Sequence, residues 1–209
     1  LEPMSAFKMQ KLMGLMKNIA DMPAGEVELN NSMLNKRFKR MQQRAATQHT
    51  TSRETIYLVR IIISNLNATL THGIPVRGII QLGQYLRSRR EQIDANEATQ
   101  WLRRLHINRM AQLQGSVLIK FFGFTAEEIP FVKQVESAAE SLTLRSINRM
   151  ELAAQAWLFK QGKSVFVHNN QKALRRNLSH CMRYFPYAPI ETTSSFFVNF
   201  SKGMAEIEE

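Results

Sequence analysis

GEVELNNSMLNKRFKRMQQRAATQHTTSRETIYLVRIIISNL, residues 25–66, is the stretch from which the fold is read. Glu26-Val27-Glu28-Leu29-Asn30 alternates polar and apolar, the period of a half-exposed strand. Asn31 or Ser32 can cap a helix that follows. In that helix Met33, Leu34, Phe38, Met41 and Ala45 make one stripe, while Lys36, Arg40 and Arg44 stand four apart on another face. Arg37 and Lys39 lie beside them. From Leu29 to Arg53 there are six basic residues and no acidic one, so this segment carries concentrated positive charge. Gln48-His49-Thr50 reads as a loop, and Thr51-Ser52-Arg53-Glu54 has capping-box spacing, so a second helix should begin there. Ile56, Tyr57, Leu58, Val59, Ile61, Ile62 and Ile63 make it apolar nearly all round. The β-branched run also suits a strand; the cap, and the period continued by Leu66 and Leu70, favour a helix. Burial on all sides of so short a unit points to packing against a second subunit. A lone strand likewise needs a partner, which a second copy could supply.

The flanks divide the chain. Residues 1–24 form an N-terminal arm, with Met9, Leu12, Met13, Met16, Ile19 and Ala20 at helical spacing. Asp21 to Gly25 breaks it. Residues 25–72 form the strand-and-helices unit, residues 73–185 a helical extension and residues 186–209 an irregular tail rich in Pro, Thr and Ser. Within the extension, helices are expected over about 76–91, 95–122 with a split at Gly115, 130–142, 145–161 and 170–184, with Val165-Phe166-Val167 a strand or connector. Thr125-Ala126-Glu127-Glu128 is a second capping-box pattern. The fold class is mainly α.

Composition narrows the function. The chain has 209 residues and a formal net charge of +11, which favours polyanions, nucleic acid before an anionic membrane surface. Cys181 is the single cysteine, so no intrachain disulfide can form and a reducing cytoplasm is expected. No apolar run reaches the roughly 18 residues of a membrane span, and Lys8, Lys11 and Lys17 interrupt the pattern of a signal peptide. A catalytic role is not expected. There is no glycine-rich phosphate loop, and His49, His72, His106, His168 and His180 lack metal-ligand spacing. No cofactor or metal is therefore expected. The Arg89-Arg90, Arg103-Arg104 and Arg175-Arg176 pairs read as solvated faces, and only the cluster at 36–44 has structural context.

The order strand, helix, loop, helix over residues 26–66 resembles the ribbon-helix-helix regulators, the family of MetJ and Arc. The resemblance implies a homodimer whose two strands pair as an antiparallel ribbon in the DNA major groove. It places Val27 and Leu29 toward the helices and Glu26, Glu28 and Asn30 outward, with Glu28 and Asn30 reading bases. Leu34, Phe38 and Met41 have the four-then-three spacing of the family's first helix. Thr51, Ser52 and Arg53 stand where the family clamps phosphate at a helix N-terminus, and Lys36, Arg37, Arg40 and Arg44 would add attraction to the backbone. The loop between the helices is longer than in the family. The helical extension is unlike its minimal members. A larger, basic protein of this kind is similar to the conjugation activators of mobile plasmids, the AcaB type. The implied protein is a DNA-binding transcriptional regulator of bacterial nucleoid or plasmid, with no membrane association and room for a further protein partner on the extension. If about six phosphates are neutralised per dimer, log K falls against log salt with a slope near −5.

Two other classes fit the same residues. One is an RNA-binding or nucleocapsid-like helical protein, with Trp101 or Phe121 stacking on unpaired bases beside arginine. The other is a helical adaptor whose Met-rich N-terminal helix docks on a partner.

Overall fold

A computed structural model describes residues 26–48, 51–148 and 178–205. The expected N-terminal arm, the Val165–Val167 segment and most of the 145–161 and 170–184 helices lie outside the described residues. The described chain is mainly helical, as its periodicity predicts. Helix α1 spans Ser32–Gln48, α2 Arg53–His72, α3 Val76–Ser88, α4 Ala95–Arg104 and α5 Asn108–Phe122. Residues 139–148 (α6) and 178–184 (α7) are helical, and α8 spans Pro189–Ala205.

Helix α2 is the axis of the fold. Ser52 caps it, accepting the Thr55 N–H at 3.0 Å, one residue beyond the expected Thr51 cap. Leu58, Val59, Ile61, Ile62, Ile63 and Leu66 are all at most 2% exposed. A β-branched residue costs a helix about 0.5 kcal/mol relative to alanine. Burying each such side chain returns about 1.5–3 kcal/mol, so tertiary packing decides for helix over strand. The packing comes from the chain itself: α3, α4 and α5 all lie against α2. His180 of α7 reaches the Thr69 carbonyl at 2.9 Å. The all-round apolar surface that suggested a second subunit is thus covered within one chain.

A buried polar network fixes how three of these helices register. Asn65 on α2 donates to the Gly78 carbonyl of α3 at 3.0 Å and to Gln114 Oε1 of α5 at 3.2 Å. Gln114 donates back to the Ile62 carbonyl at 3.1 Å. Both amides are almost fully buried, and each is partnered, as buried polar groups must be.

Three element boundaries differ from expectation. The 95–122 helix breaks at 105–107 and not at Gly115. His106 takes a left-handed conformation (φ 56°) and closes α4 with the paired bonds of a Schellman turn, Ile107 N–H to Leu102 O and His106 N–H to Arg103 O, both 3.0 Å. Gly115 lies inside α5, where a Cβ would come within 2.3 Å of Val132 Cγ2. Its role is close approach of the 129–132 segment, not helix termination. The Thr125–Glu128 pattern does cap: the Glu128 carboxylate accepts the Thr125 N–H at 2.8 Å. It opens only a single 3-10 turn, Ala126–Glu128, because Ile129 precedes proline and is extended. Turns then fill most of the expected 130–142 helix, and α6 begins at 139. The tail expected to be irregular is helix α8. Proline at its first position lacks only a donor the helix would leave unpaired, and Ala188, Glu191, Thr192 and Ser195 bury one face.

Among the described residues no strand is formed. Residues 26–29 take no regular secondary structure, and several backbone groups of residues 28–31 are taken within the chain. Leu29 N–H donates to Asn35 Oδ1 at 3.2 Å, and Asn67 donates to the Glu28 carbonyl at 2.7 Å. The Asn30 and Asn31 N–H groups donate to the two carboxylate oxygens of Glu191, at 2.8 and 3.1 Å. In this arrangement α8 and α2 stand where the ribbon reading places a second copy's strand.

Candidate nucleic-acid interface

Helix α1 presents two opposed faces. Leu34, Phe38, Met41 and Ala45 are buried against the core, with Phe38 edge-on to Trp101 of α4 at 6.3 Å between ring centroids. Asn31 caps the helix, accepting the Met33 and Leu34 N–H groups at 3.1 and 3.0 Å. With the apolar stripe inward, 3.6 residues per turn leaves Lys36, Arg37, Arg40 and Arg44 exposed on the outer side. Arg37 turns toward α4 and donates to the Arg104 carbonyl at 2.7 Å, satisfying one of the orphan acceptors at that helix's C-terminus. Arg103 and Arg104 are exposed there, where positive charge also complements the helix dipole. The Arg37 contact joins α1 and the end of α4 into one basic strip of six cations. Among the described residues, Lys36, Arg40, Arg44, Arg103 and Arg104 form no ion pair with a carboxylate. Arg87 and Arg109, by contrast, are paired with Glu128 and Glu136.

Lys39 is the cation of α1 that leaves the strip. Its ammonium lies 3.3 Å from Glu26 and donates to Glu28 at 2.5 Å. That contact, helped by Asn35, holds the Glu28 carboxyl below the usual carboxylate range and raises Lys39. Glu28, expected to read bases, therefore faces a lysine of its own chain. Asn30, the other expected base reader, donates through Nδ2 to Asn67 Oδ1 at 3.2 Å. Both side chains are engaged by their own chain, Glu28 in an exposed ion pair and Asn30 in a part-buried hydrogen bond, in positions where a ribbon would leave them free.

The expected phosphate clamp is also partly occupied. Thr51 hydroxyl donates to the Glu97 carboxylate, and Ser52 hydroxyl donates to the Gln92 carbonyl at 2.7 Å while capping α2. A carboxylate of the chain itself thus sits at this turn, beside a helix N-terminus that favours negative charge. Arg53 remains exposed. Of the nine residues singled out by sequence, the structure gathers Lys36, Arg37, Arg40 and Arg44 into one surface and sets Glu28, Asn30, Thr51 and Ser52 to internal contacts. Arg103 and Arg104 are the additions. Their helical spacing to Trp101 was legible, but their closeness to Arg37 depends on how α4 packs.

Of the stacking residues expected for single-stranded RNA, the first is buried and the second half-buried. Trp101 is 4% exposed, and Phe121 packs against the core. Among the described residues no group of three or more His, Cys, Asp or Glu gathers where a metal could be held, and no helix is long and apolar enough to cross a membrane. Comparisons of the chain with protein-family models, curated proteins and solved structures found no match.

Proposed function

We propose that the protein binds double-stranded DNA through the basic strip of α1 and the C-terminal end of α4, and that it serves as a DNA-binding regulator. The observation that carries the reading is the set of six exposed cations, Lys36, Arg37, Arg40, Arg44, Arg103 and Arg104, joined across two helices by the Arg37–Arg104 contact. A net charge of +11 supports it. Phosphate contacts of this kind position a protein on the duplex without reading sequence. The contact is with α1 and not with a strand ribbon, because Glu28 and Asn30 are held by Lys39 and Asn67. The regulatory role is the simplest use of such a duplex contact in a chain where, among the described residues, no metal-holding cluster gathers, and it does not depend on a strand ribbon. If about five phosphates are neutralised, the slope of log K against log salt is about −4.5. Duplex titrations by fluorescence anisotropy at several salt concentrations measure it directly, and a slope near zero on every duplex tried would falsify the proposal.

Glu191 provides a separate test of how the expected strand is held. Its residue is 1% exposed, and burial raises its carboxyl above the ordinary value of 4.5 even though the Asn30 and Asn31 amides favour the charged form. The native state then binds this proton more tightly than the unfolded chain. Its contribution is most favourable below the unfolded value and declines as pH rises through the raised one. Urea midpoints of the parent should therefore fall relative to those of Glu191→Gln over that window. Parallel pH profiles for the two proteins would count against the assignment.

A further inference from the structure

An exposed tyrosine lies on α2, braced by a half-buried tyrosine of α3. Tyr57 is 45% exposed, the most open aromatic of the helical axis. Its ring rests on Tyr85 of α3, with centroids 5.0 Å apart and planes tilted by 45°. Tyr85 is itself held, its hydroxyl donating to the Glu54 carbonyl at 3.2 Å. Burial and the nearby Glu54 charge push that hydroxyl's pKa up to about 12, so it stays a donor at neutral pH. Arg53 is exposed one turn before Tyr57 on the same stripe. Arg89 is exposed at the end of α3, close enough to Tyr85 to act on its charge, with its guanidinium donating to Gln92 at 3.3 Å. Glu54 is the acid of this patch, and it is half-buried.

A braced, open tyrosine ring has one free π-face. Arg53, one turn before Tyr57, and Arg89, near Tyr85, complement phosphates that follow a stacked base. A single strand uses both the ring and the charge at once, its bases stacking and its phosphates meeting the guanidinium groups. We infer that Tyr57, braced by Tyr85 and flanked by Arg53 and Arg89, is a stacking site for an unpaired nucleotide of single-stranded nucleic acid. This rests on the nucleic-acid reading above and extends it from the duplex face to a second surface.

The test uses the full chain at about 50 mM salt, where phosphate contacts are strong, with a labelled mixed-sequence single strand and a duplex of the same sequence. Tyr57→Ala should weaken single-strand binding about tenfold or more, the loss expected for one stacked base. Tyr57→Phe should retain it, and duplex binding should change little in either variant. Tyr57→Phe should melt as the parent does, while Tyr57→Ala loses the contact with Tyr85 and melts somewhat lower, so binding is compared at a temperature where both variants are fully folded. The inference is overturned if the parent does not bind the single strand, if Tyr57→Ala binds it as the parent does, or if Tyr57→Phe falls as far as Tyr57→Ala. Arg40→Glu with Arg44→Glu separates the two surfaces. Loss of duplex binding there with no effect of Tyr57→Ala anywhere overturns the stacking site alone. Tyr57-dependent single-strand binding with unchanged duplex binding in the Arg40, Arg44 variant overturns the duplex face alone.

Discussion

Replacing both Arg40 and Arg44 with glutamate is expected to abolish most duplex binding while leaving the fold intact. Both side chains are exposed on the outer face of α1, and among the described residues neither makes an ion pair, so nothing in the core depends on them. Surface substitutions of this type usually change stability by no more than about 0.5 kcal/mol. Their effect on a polyanion is much larger. Two of the strip's six cations are lost and two anions appear, a local change of four charges. Each phosphate contact contributes about −0.9 to the salt slope, so the slope should flatten from about −4.5 to about −2.7 or less. At low salt the affinity should fall by about two orders of magnitude, the remaining cations being opposed by the new carboxylates. Anisotropy titrations of parent and variant at matched salt read both quantities, with circular dichroism as the control for folding. Parent-like affinity in the double variant would remove α1 from the interface.

Phe38→Ala should produce the largest loss of stability of the substitutions considered. Phe38 is 1% exposed and meets Trp101 edge-on, which makes it the main aromatic contact between α1 and α4. Truncating a buried phenylalanine costs about 3–5 kcal/mol through lost transfer energy and the cavity left behind. A domain of ordinary stability has about 5–15 kcal/mol in total, so the variant should unfold at much lower urea. Duplex binding should weaken alongside, because Phe38 holds the helix whose outer face carries the strip and the Arg37–Arg104 contact depends on that seat. Equilibrium urea unfolding followed by far-ultraviolet circular dichroism checks the first expectation. A change below about 1 kcal/mol would mean that the α1–α4 contact is not the one described.

Periodicity made much of this architecture legible. The 3.6-residue spacing of Leu34, Phe38, Met41 and Ala45 set which face of α1 is buried, and with it which cations are exposed; Met33, read into the same stripe, is 67% exposed. The apolar run from Ile56 to Leu70 announced a helix buried on most sides. What it could not announce was the source of that burial. A one-dimensional pattern records that a face needs cover but not which segment supplies it: a second copy would satisfy the pattern as well as the chain's own α3, α4 and α5, which provide it. The same limit governs residues 26–31. Alternation there is compatible with a paired strand, but the hydrogen-bond partners that would pair it are contributed by Glu191, 160 residues away in sequence for the Asn31 contact. Gly115 misled for a related reason. Glycine marks a helix break or a close approach with equal economy, and only the position of Val132 separates them.

Sequence by itself determined the mainly helical class, the two faces of α1 and the concentration of positive charge at 36–44, because local spacing and side-chain chemistry suffice for each. Tertiary structure alone decided the rest. It turned Glu28 onto Lys39 and Asn30 onto Asn67, filled the turn at Thr51 with Glu97, and brought Arg104 to Arg37. These are contacts between residues apart in the chain, selected by how helices pack around α2 and by the pairing of charged and polar groups that the packing brings together. Neither cause leaves a periodic trace in the sequence.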